Sequence, residues 1–241
     1  INGHGKSLVA GFVAMGFVTQ DRPVCIASLE MKPVRTLLRM LRQASMTNNP
    51  AVSIKNRFVE WLDKKLYLYD HIGVMDVDTL FGAIKWTADN LGVKHFVIDN
   101  LGLCIRRADD LNEQKEFIVR CMTTAKQLDI HIHVVHHIKK LENEYVIPGK
   151  FDIKGDGAII DYVDQAIVVY RNKRKEEEVE ALKFKGQDIP ESVTSKSDAV
   201  LNVVKNRDDF EGRIHLWYDP ASLQYLGSPN KKLINMMGEY A

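Results

Sequence analysis

The sequence predicts an α/β protein with an open, mostly parallel twisted sheet, helices on both faces and antiparallel strands at its C-terminal edge. Three observations carry this expectation. Continuous apolar runs of strand length, such as Val24 to Leu29, lack the alternation of a half-solvated strand and read as parallel strands buried on both faces. Segments of helical periodicity separate these runs. Carboxylates and polar residues stand where the runs end, and an open α/β sheet keeps its ligand crevice at the carboxyl ends of its strands.

The chain opens on Ile1-Asn2-Gly3-His4-Gly5-Lys6-Ser7, followed by the apolar run Leu8 to Ala14. This is the back half of the phosphate-binding pattern G-x-x-x-x-G-K-[ST]. The first glycine of that pattern would fall one residue before Ile1, and the chain begins on Ile rather than Met, so it is expected to be part of a longer protein. Gly3 and Gly5 let the backbone turn its N–H groups toward phosphate oxygens, and the following helix brings its partial positive charge to the same anion. Asn2, Gly3, His4, Gly5, Lys6, Ser7 and Leu8 therefore form a candidate nucleotide-binding set. Lys6 would reach the β- and γ-phosphates, and the Ser7 hydroxyl would hold Mg²⁺. The competing reading is a glycine turn before an ordinary helix.

Composition sets bounds. The chain has 241 residues, which fits a single large domain over 1–241 with a full apolar core. Its three cysteines, Cys25, Cys104 and Cys121, show no zinc spacing and suggest a reducing compartment. No signal peptide and no bilayer-spanning apolar run is visible. A net charge of +1 gives no global sign of nucleic-acid binding, so any such surface must be gathered locally.

After the first helix, Asp21-Arg22-Pro23 makes a turn into the strand ending at Glu30. Pro33 suits the first turn of a helix running through Leu41. Thr47 to Pro50 breaks the pattern; Ile54 to Leu62 reads as an amphipathic helix and Leu66 to Tyr69 as a short strand. Asp76 or Asp78 caps a helix that Gly92 stops. His95 to Asn100 is an apolar strand ending in Asp99. With the phosphate loop upstream it reads as a Walker B strand whose acid holds Mg²⁺ through water; alone it is a buried strand with an Asp turn. Glu113 to Leu128 is a helix, and Ile130 to Val135 a strand followed by His136-His137-Ile138-Lys139-Lys140. A histidine at that strand end is either a packed or solvated residue or a sensor of the γ-phosphate, and the His-x-His spacing also raises metal binding. Leu141 to Lys150 reads as a flexible loop. Gly155-Asp156-Gly157 opens a short helix, Ala166 to Arg171 is a strand, and the charged segment Asn172 to Ala199 reads as a solvated hairpin or a partly disordered excursion. Val200 to Val204, Ile214 to Tyr218 and Leu223 to Leu226 complete the strands, before a polar, then weakly apolar tail.

Taken in order, Gly3-His4-Gly5-Lys6-Ser7, Ser28-Leu29-Glu30-Met31, Val97-Ile98-Asp99-Asn100, His136-His137-Ile138-Lys139, Asp152-Ile153-Lys154-Gly155-Asp156-Gly157-Ala158-Ile159 and Val204-Lys205-Asn206-Arg207 resemble the motifs of DnaB-type replicative helicases over almost the whole chain. His137, where bacterial DnaB proteins have Gln, is closest to the pattern of phage primase-helicases and the mitochondrial helicase Twinkle. The resemblance implies a RecA-like P-loop NTPase core that assembles as a homo-oligomeric ring, usually a hexamer, around single-stranded DNA. ATP or another NTP or dNTP, with Mg²⁺, sits between subunits and drives 5′–3′ movement. By position, Lys6 and Ser7 bind phosphate and metal, Glu30 activates the attacking water, Asp99 is the Walker B acid, and His137 links the γ-phosphate to the DNA loops. Lys154 and the Gly155-Asp156-Gly157 turn match a loop that touches the DNA backbone. Arg171 falls where phage enzymes place a base-contacting Arg, and Tyr218 is the nearby aromatic. Lys205 and Arg207 match the pair that a neighbouring subunit inserts at the γ-phosphate. The missing first glycine and the long charged segment 172–199 depart from the pattern.

Arg106 and Arg107, Lys139 and Lys140, and Lys150 and Lys154 fall in loops that would face a central channel. Singly they read as solvated charges; together they make the local basic patch that tracks phosphates without reading sequence. Few aromatics lie in these loops, which favours backbone contacts over base stacking. The resemblance also raises a primase or polymerase as a further partner, no membrane partner is expected, and the expected location is bacterial or phage-infected cytoplasm, or the mitochondrial matrix for a Twinkle-like protein. The competing function is a RecA-like ATPase of recombinase, loader or clock type that binds DNA or protein without unwinding.

Overall fold

The computed structural model describes residues 4–105, 107, 110–155 and 157–238. Four strands, β1 (Val24–Ser28), β2 (Leu66–Leu68), β3 (His95–Asp99) and β4 (His131–Val135), form a parallel sheet in the order β2-β1-β3-β4. Four more, β5 (Gln165–Arg171), β6 (Ala199–Asn206), β7 (Gly212–Asp219) and β8 (Gln224–Leu226), form an antiparallel sheet in sequence order. The fold is the expected α/β class, with the antiparallel part beginning at β5.

Strand alternation divides the core into two layers. Cys25 and Ala27 of β1 and Phe96 and Ile98 of β3 face α4 (Val77–Leu91) and α5 (Leu111–Leu128), packing on Leu80, Phe81, Ile84, Phe117 and Cys121. Val24, Ile26 and Val97 point the other way, onto α1 (Lys6–Val18), α2 (Pro33–Ser45) and α3 (Val52–Leu62), where they meet Met15, Val18, Met40, Phe58 and Trp61. With both faces covered, a strand has no solvent side, which is why these runs show no polar alternation.

Helix ends follow local chemistry. Pro33 is the first residue of α2. Of the two candidate caps for α4, Asp76 accepts the Thr79 N–H at 2.8 Å, while Asp78 pairs with Arg120 at 2.7 Å. Gly92 closes the helix at φ 66°, a conformation open to glycine at little strain. Helix α5 starts at Leu111 rather than Glu113, because the Asp110 side chain accepts the N–H groups of Asn112 and Glu113 at 2.9 and 3.1 Å.

The segment 172–199 is neither a hairpin nor an unstructured excursion. It forms α7 (Lys173–Phe184) and α8 (Glu191–Thr194). Its Lys and Glu residues are good helix formers, and the Asn172 side chain caps α7 by accepting the Lys175 N–H at 3.1 Å. Lys175 is 7% exposed and is held by Asp198 at 2.7 Å and by the Lys196 carbonyl at 2.6 Å. Helix α7 also docks on the loop before it: Lys173 bonds Glu144, and the Tyr145 hydroxyl donates to Glu177 at 2.9 Å. The tail is likewise part of the core, with Met236 and Met237 buried against the α1–α3 layer. Buried Gln224 fixes it, donating to the carbonyls of Gln43 and Ile234, both at 2.7 Å, and accepting the Ile234 N–H at 2.8 Å.

Candidate functional site

At the carboxyl ends of β1 and β3, the start of α1 meets two carboxylates. Gly5 precedes α1 with φ 81°, and a Cβ there would lie 2.7 Å from the Tyr225 hydroxyl oxygen, so conformation and close approach both call for glycine. Among the described residues no side chain caps this helix, and no acidic residue stands in its first turn. Its N–H groups and dipole are therefore directed at whatever anion lies beyond Gly5. Lys6 is half-buried; desolvation lowers its pKa, and the nearby carboxylates of Asp99 and Glu30 oppose that shift. Asp99 is 5% exposed. Burial raises its pKa, the Ser7 hydroxyl that donates to it acts in the other direction, and Glu30 adds to the rise.

A buried carboxylate and a hydroxyl held together are an oxygen donor set of the kind a hard cation takes. Mg²⁺ uses one or two such protein ligands and keeps several waters. Ser7 and Asp99 thus fit an Mg²⁺ that accompanies a nucleotide. Among the described residues, no group of three or more His, Cys, Asp or Glu side chains is placed to hold a metal by itself.

Glu30, exposed at the end of β1, is held by a side chain from the neighbouring strand. The Asn100 amide nitrogen donates to Glu30 Oε1 and lies 3.3 Å from His137 Nε2. Asn100 is 3% exposed, and a Cβ at Gly102 would come within 3.1 Å of its amide oxygen, so the amide is backed closely from behind. The parallel register, with Ser28 opposite Asp99 and Asp99 opposite Val135, brings the ends of β1, β3 and β4 level and makes the row Glu30, Asn100, His137 possible. The pKa of His137 is lowered by burial and by Lys6, against the pull of Glu30.

From His137 the chain passes into paired loops. Ile138 and Ile153 form an antiparallel bridge, flanked by Lys154 N–H to His137 carbonyl at 3.0 Å and Lys139 N–H to Asp152 carbonyl at 2.7 Å. His136 Nε2–H donates to the Lys154 carbonyl at 2.7 Å. Lys139 and Lys140 are exposed, and Lys150 and Lys154 half-exposed, on this ribbon. Gly155 has φ 112°, and a Cβ there would overlap the amide of buried Gln114 in α5. Gly157 is exposed just before α6 (Ala158–Tyr162), and Arg107 is exposed ahead of α5. The sequence-predicted residues Asn2, Gly3, Arg106 and Asp156 lie outside the described residues.

On the other flank of Gly5 stand Arg171, Tyr218 and Tyr225. The Tyr218 and Tyr225 rings are 5.2 Å apart, and Arg171 Nε donates to Glu176 in α7. Burial pushes the Tyr225 hydroxyl up to about 12. His4 is 3% exposed, its Nδ1 accepting the Arg171 N–H at 3.1 Å. Burial, with the positive charge of Lys173, brings its pKa down to about 4. Its side chain is thus turned into the protein, and its Nε2 has no hydrogen-bond partner among the described residues. The Leu8 carbonyl accepts from buried Gln43 at 3.4 Å, behind the same loop.

Lys205 and Arg207 are not with the others. In the β5–β6 register, Asn206 faces Gln165 while Ala199 faces Arg171. The two basic residues therefore lie at the end of β5 opposite Arg171, roughly 20 Å away for a strand of this length. Lys205 Nζ donates to the carbonyls of Ile160 and Asp161 at 2.7 and 3.1 Å. Arg207 pairs with Asp164 at 2.9 Å rather than with Asp208 or Asp209. Sequence reading missed the roles of Asn100, Tyr225, Gln114 and Asp164. Asn100 and Gln114 carry no spacing signal, and Tyr225 joins the phosphate loop only through the order of the antiparallel strands.

No family model matches the chain, and no curated protein matches it in sequence. Solved structures do share its fold. A helicase ATPase domain superposes with a TM-score of 0.70 at 18% identity, over 93% of this chain and 81% of that one. A DnaB-like replicative helicase, solved to describe its interactions with primase, superposes with a TM-score of 0.71 at 16% identity, over 93% of this chain and 55% of the helicase. The chain shares the fold of these two domains, so its resemblance to DnaB-type helicases extends from the motifs to the fold.

Proposed function

We propose that this chain is the ATP-hydrolysing motor domain of a ring-forming replicative DNA helicase that moves on single-stranded DNA. The observation that carries the reading is the row Glu30, Asn100, His137, which runs from the start of α1 into the lysine-bearing ribbon. The phosphates of ATP lie against the first turn of α1 and Lys6. Ser7 and Asp99 would hold Mg²⁺, which would supply charge neutralisation at the phosphate oxygens. Glu30 accepts a proton from the attacking water, and the Asn100 amide fixes its carboxylate in position. Arg171 and Tyr218, with Tyr225, flank the base. Release of the γ-phosphate changes what faces His137, and the bridge from Ile138 to Ile153 carries that change to Lys139, Lys154 and the turn at Gly155.

The distance of Arg207 from its own phosphate loop supports action on the nucleotide of an adjacent copy, as in a ring. Single-stranded DNA is then bound by Arg107, Lys139, Lys140, Lys150 and Lys154 through its phosphates. The primase interactions named for the DnaB-like neighbour support a primase as a partner of the assembled ring. The test is a forked-duplex unwinding assay with the full-length protein, read beside ATP hydrolysis with and without single-stranded DNA. Strand-stimulated hydrolysis with unwinding is expected. Stimulated hydrolysis without unwinding would move the protein to the recombinase, loader or clock class, and no strand dependence would remove DNA from the mechanism.

A further inference from the structure

We infer that Phe151 is a base-stacking residue for single-stranded DNA, set among the lysines that hold the phosphates; the inference rests on the DNA-binding reading above. Phe151 is 84% exposed. An exposed phenyl at the end of a loose tether would mean little, but this backbone is held on several sides. Lys150–Asp152 is a 3-10 turn closed by the Gly149 N–H donating to Asp152 Oδ2 at 2.7 Å. The Phe151 carbonyl accepts from Lys139 Nζ at 3.0 Å. The next residues are tied to the His137 segment by the Ile138–Ile153 bridge. On the other side, the Pro148 carbonyl accepts from Asn202 of β6 at 2.8 Å. The ring is thus presented to solvent by a fixed frame, and the sequence spends an apolar side chain where burial gives nothing back within the subunit.

Charge selects the occupant. Lys150 precedes Phe151 in the chain, Lys139 Nζ reaches the Phe151 carbonyl, and Lys140 and Lys154 lie on the segments that the bridge joins. Among the described residues nearby, Asp152 is engaged with the Gly149 N–H and Glu144 with Lys173, while Glu142 is exposed. A cationic surface with an aromatic face in its midst fits a chain of alternating phosphates and π-faces, and stacking accepts every base because every base has such a face. An apolar pocket of a second copy would gain nothing from the lysines. Phe184 is 94% exposed between Lys183 and Lys185, but it stands at the end of α7, outside the segments that the bridge joins, and serves as a control.

The experiment measures affinity of the full chain, with Mg²⁺ and a non-hydrolysable ATP analogue, for a fluorescent oligothymidylate and for an abasic oligomer of equal length across a salt series. Phe151→Ala is expected to weaken oligothymidylate binding at least about fivefold, with the slope of log K against log salt unchanged. It should also abolish the wild-type preference for the oligomer that has bases, and Phe151→Trp should restore both. Phe184→Ala should change neither. If Phe151→Ala binds as wild type while Lys154→Ala loses affinity and slope, stacking is overturned and DNA binding stands. An equal loss in Phe184→Ala, or a loss that is the same on abasic DNA, also overturns it. Wild-type protein that binds neither oligomer overturns the DNA-binding reading and this inference with it.

Discussion

Mild acid is expected to destabilise this protein through neutral histidines that are buried or half-buried, and His133 offers the clearest test. Its ring lies 4.2 Å from that of His131 and 5.5 Å from that of Phe17, with His95 stacked on Phe17 at 3.7 Å. Burial first, and then the charges of His131 and His95, lower its pKa to about 3. Arg22 acts on His95 in the same direction, while Asp164 acts on His131 in the opposite one. His136 and His4 are each brought down to about 4, with burial the main cause. The unfolded chain takes up protons near pH 6.5, whereas the folded rings resist until about 3 or 4, so stability is full above 6.5 and lost as pH falls from there. At about 1.36 kcal/mol per pH unit and group, pH 5 removes roughly 2 kcal/mol for each ring. Three rings give roughly 6 kcal/mol, comparable to the whole stability of an ordinary domain, about 5–15 kcal/mol. His133→Phe keeps an aromatic in the stack and deletes one proton site, at a ring whose Nε2 has no hydrogen-bond partner among the described residues. Urea unfolding of both proteins at pH 8 and pH 5 should show the variant losing about 2 kcal/mol less than wild type between the two. Equal losses would refute the assignment of the acid sensitivity to this ring.

Glu30→Gln keeps the shape that Asn100 holds and removes the base, so ATP turnover should fall by about 10² or more while nucleotide binding survives; near-normal turnover in a single-turnover assay would sink the role. Lys154→Ala should weaken single-stranded DNA of any sequence alike and lower the salt slope by about 0.7, measured by anisotropy titration. Arg207→Ala should drop strand-stimulated hydrolysis by about 10³ or more, whereas a mere exposed pair with Asp164 contributes only ~0–1 kcal/mol of stability and would leave turnover alone. Mixing Arg207→Ala with Lys6→Ala subunits should restore part of that hydrolysis, and mixed rings as inactive as their parents would contradict action across the interface.

What the sequence revealed and what it hid divide along a physical line. The parallel core was legible because its signals are local. A strand buried on both faces must be continuously apolar, and the glycine turn at Gly5 leads straight into the helix that begins at Lys6. The places of Glu30 and Asp99 could be read because an open α/β sheet keeps its crevice at the carboxyl ends of its strands. Asn100 and Gln114 were silent because a buried amide gains meaning only from the side chain it meets, and Glu30 lies far from Asn100 along the chain. The charged run after Asn172 misled for the opposite reason. Its Lys and Glu residues looked solvated, yet Lys175 is buried because Asp198 and the Lys196 carbonyl, both distant in sequence, satisfy it. The tail hid its contribution in two methionines whose burial depends on Gln224.

That misleading segment joins the two halves of the candidate site. The last residue of β5, Arg171, gives its N–H to His4 beside the phosphate loop and its side chain to Glu176. In the same stretch of α7, Lys173 and Glu177 hold Glu144 and Tyr145, which belong to the loop leading to Lys150 and Phe151. The Tyr145 carbonyl accepts in turn from the Tyr170 hydroxyl, at 3.1 Å. A single exposed ion pair of this kind would be worth little. Here the bonds share one helix face, and Tyr170 is 4% exposed, so the contacts act as a unit with a buried anchor. The nucleotide flank and the lysine ribbon are therefore connected twice: through Glu30, Asn100 and His137 at the front of the sheet, and through α7 behind it. A change at the phosphate loop that moved only one of these connections would shear the ribbon against α7, which favours movement of both together.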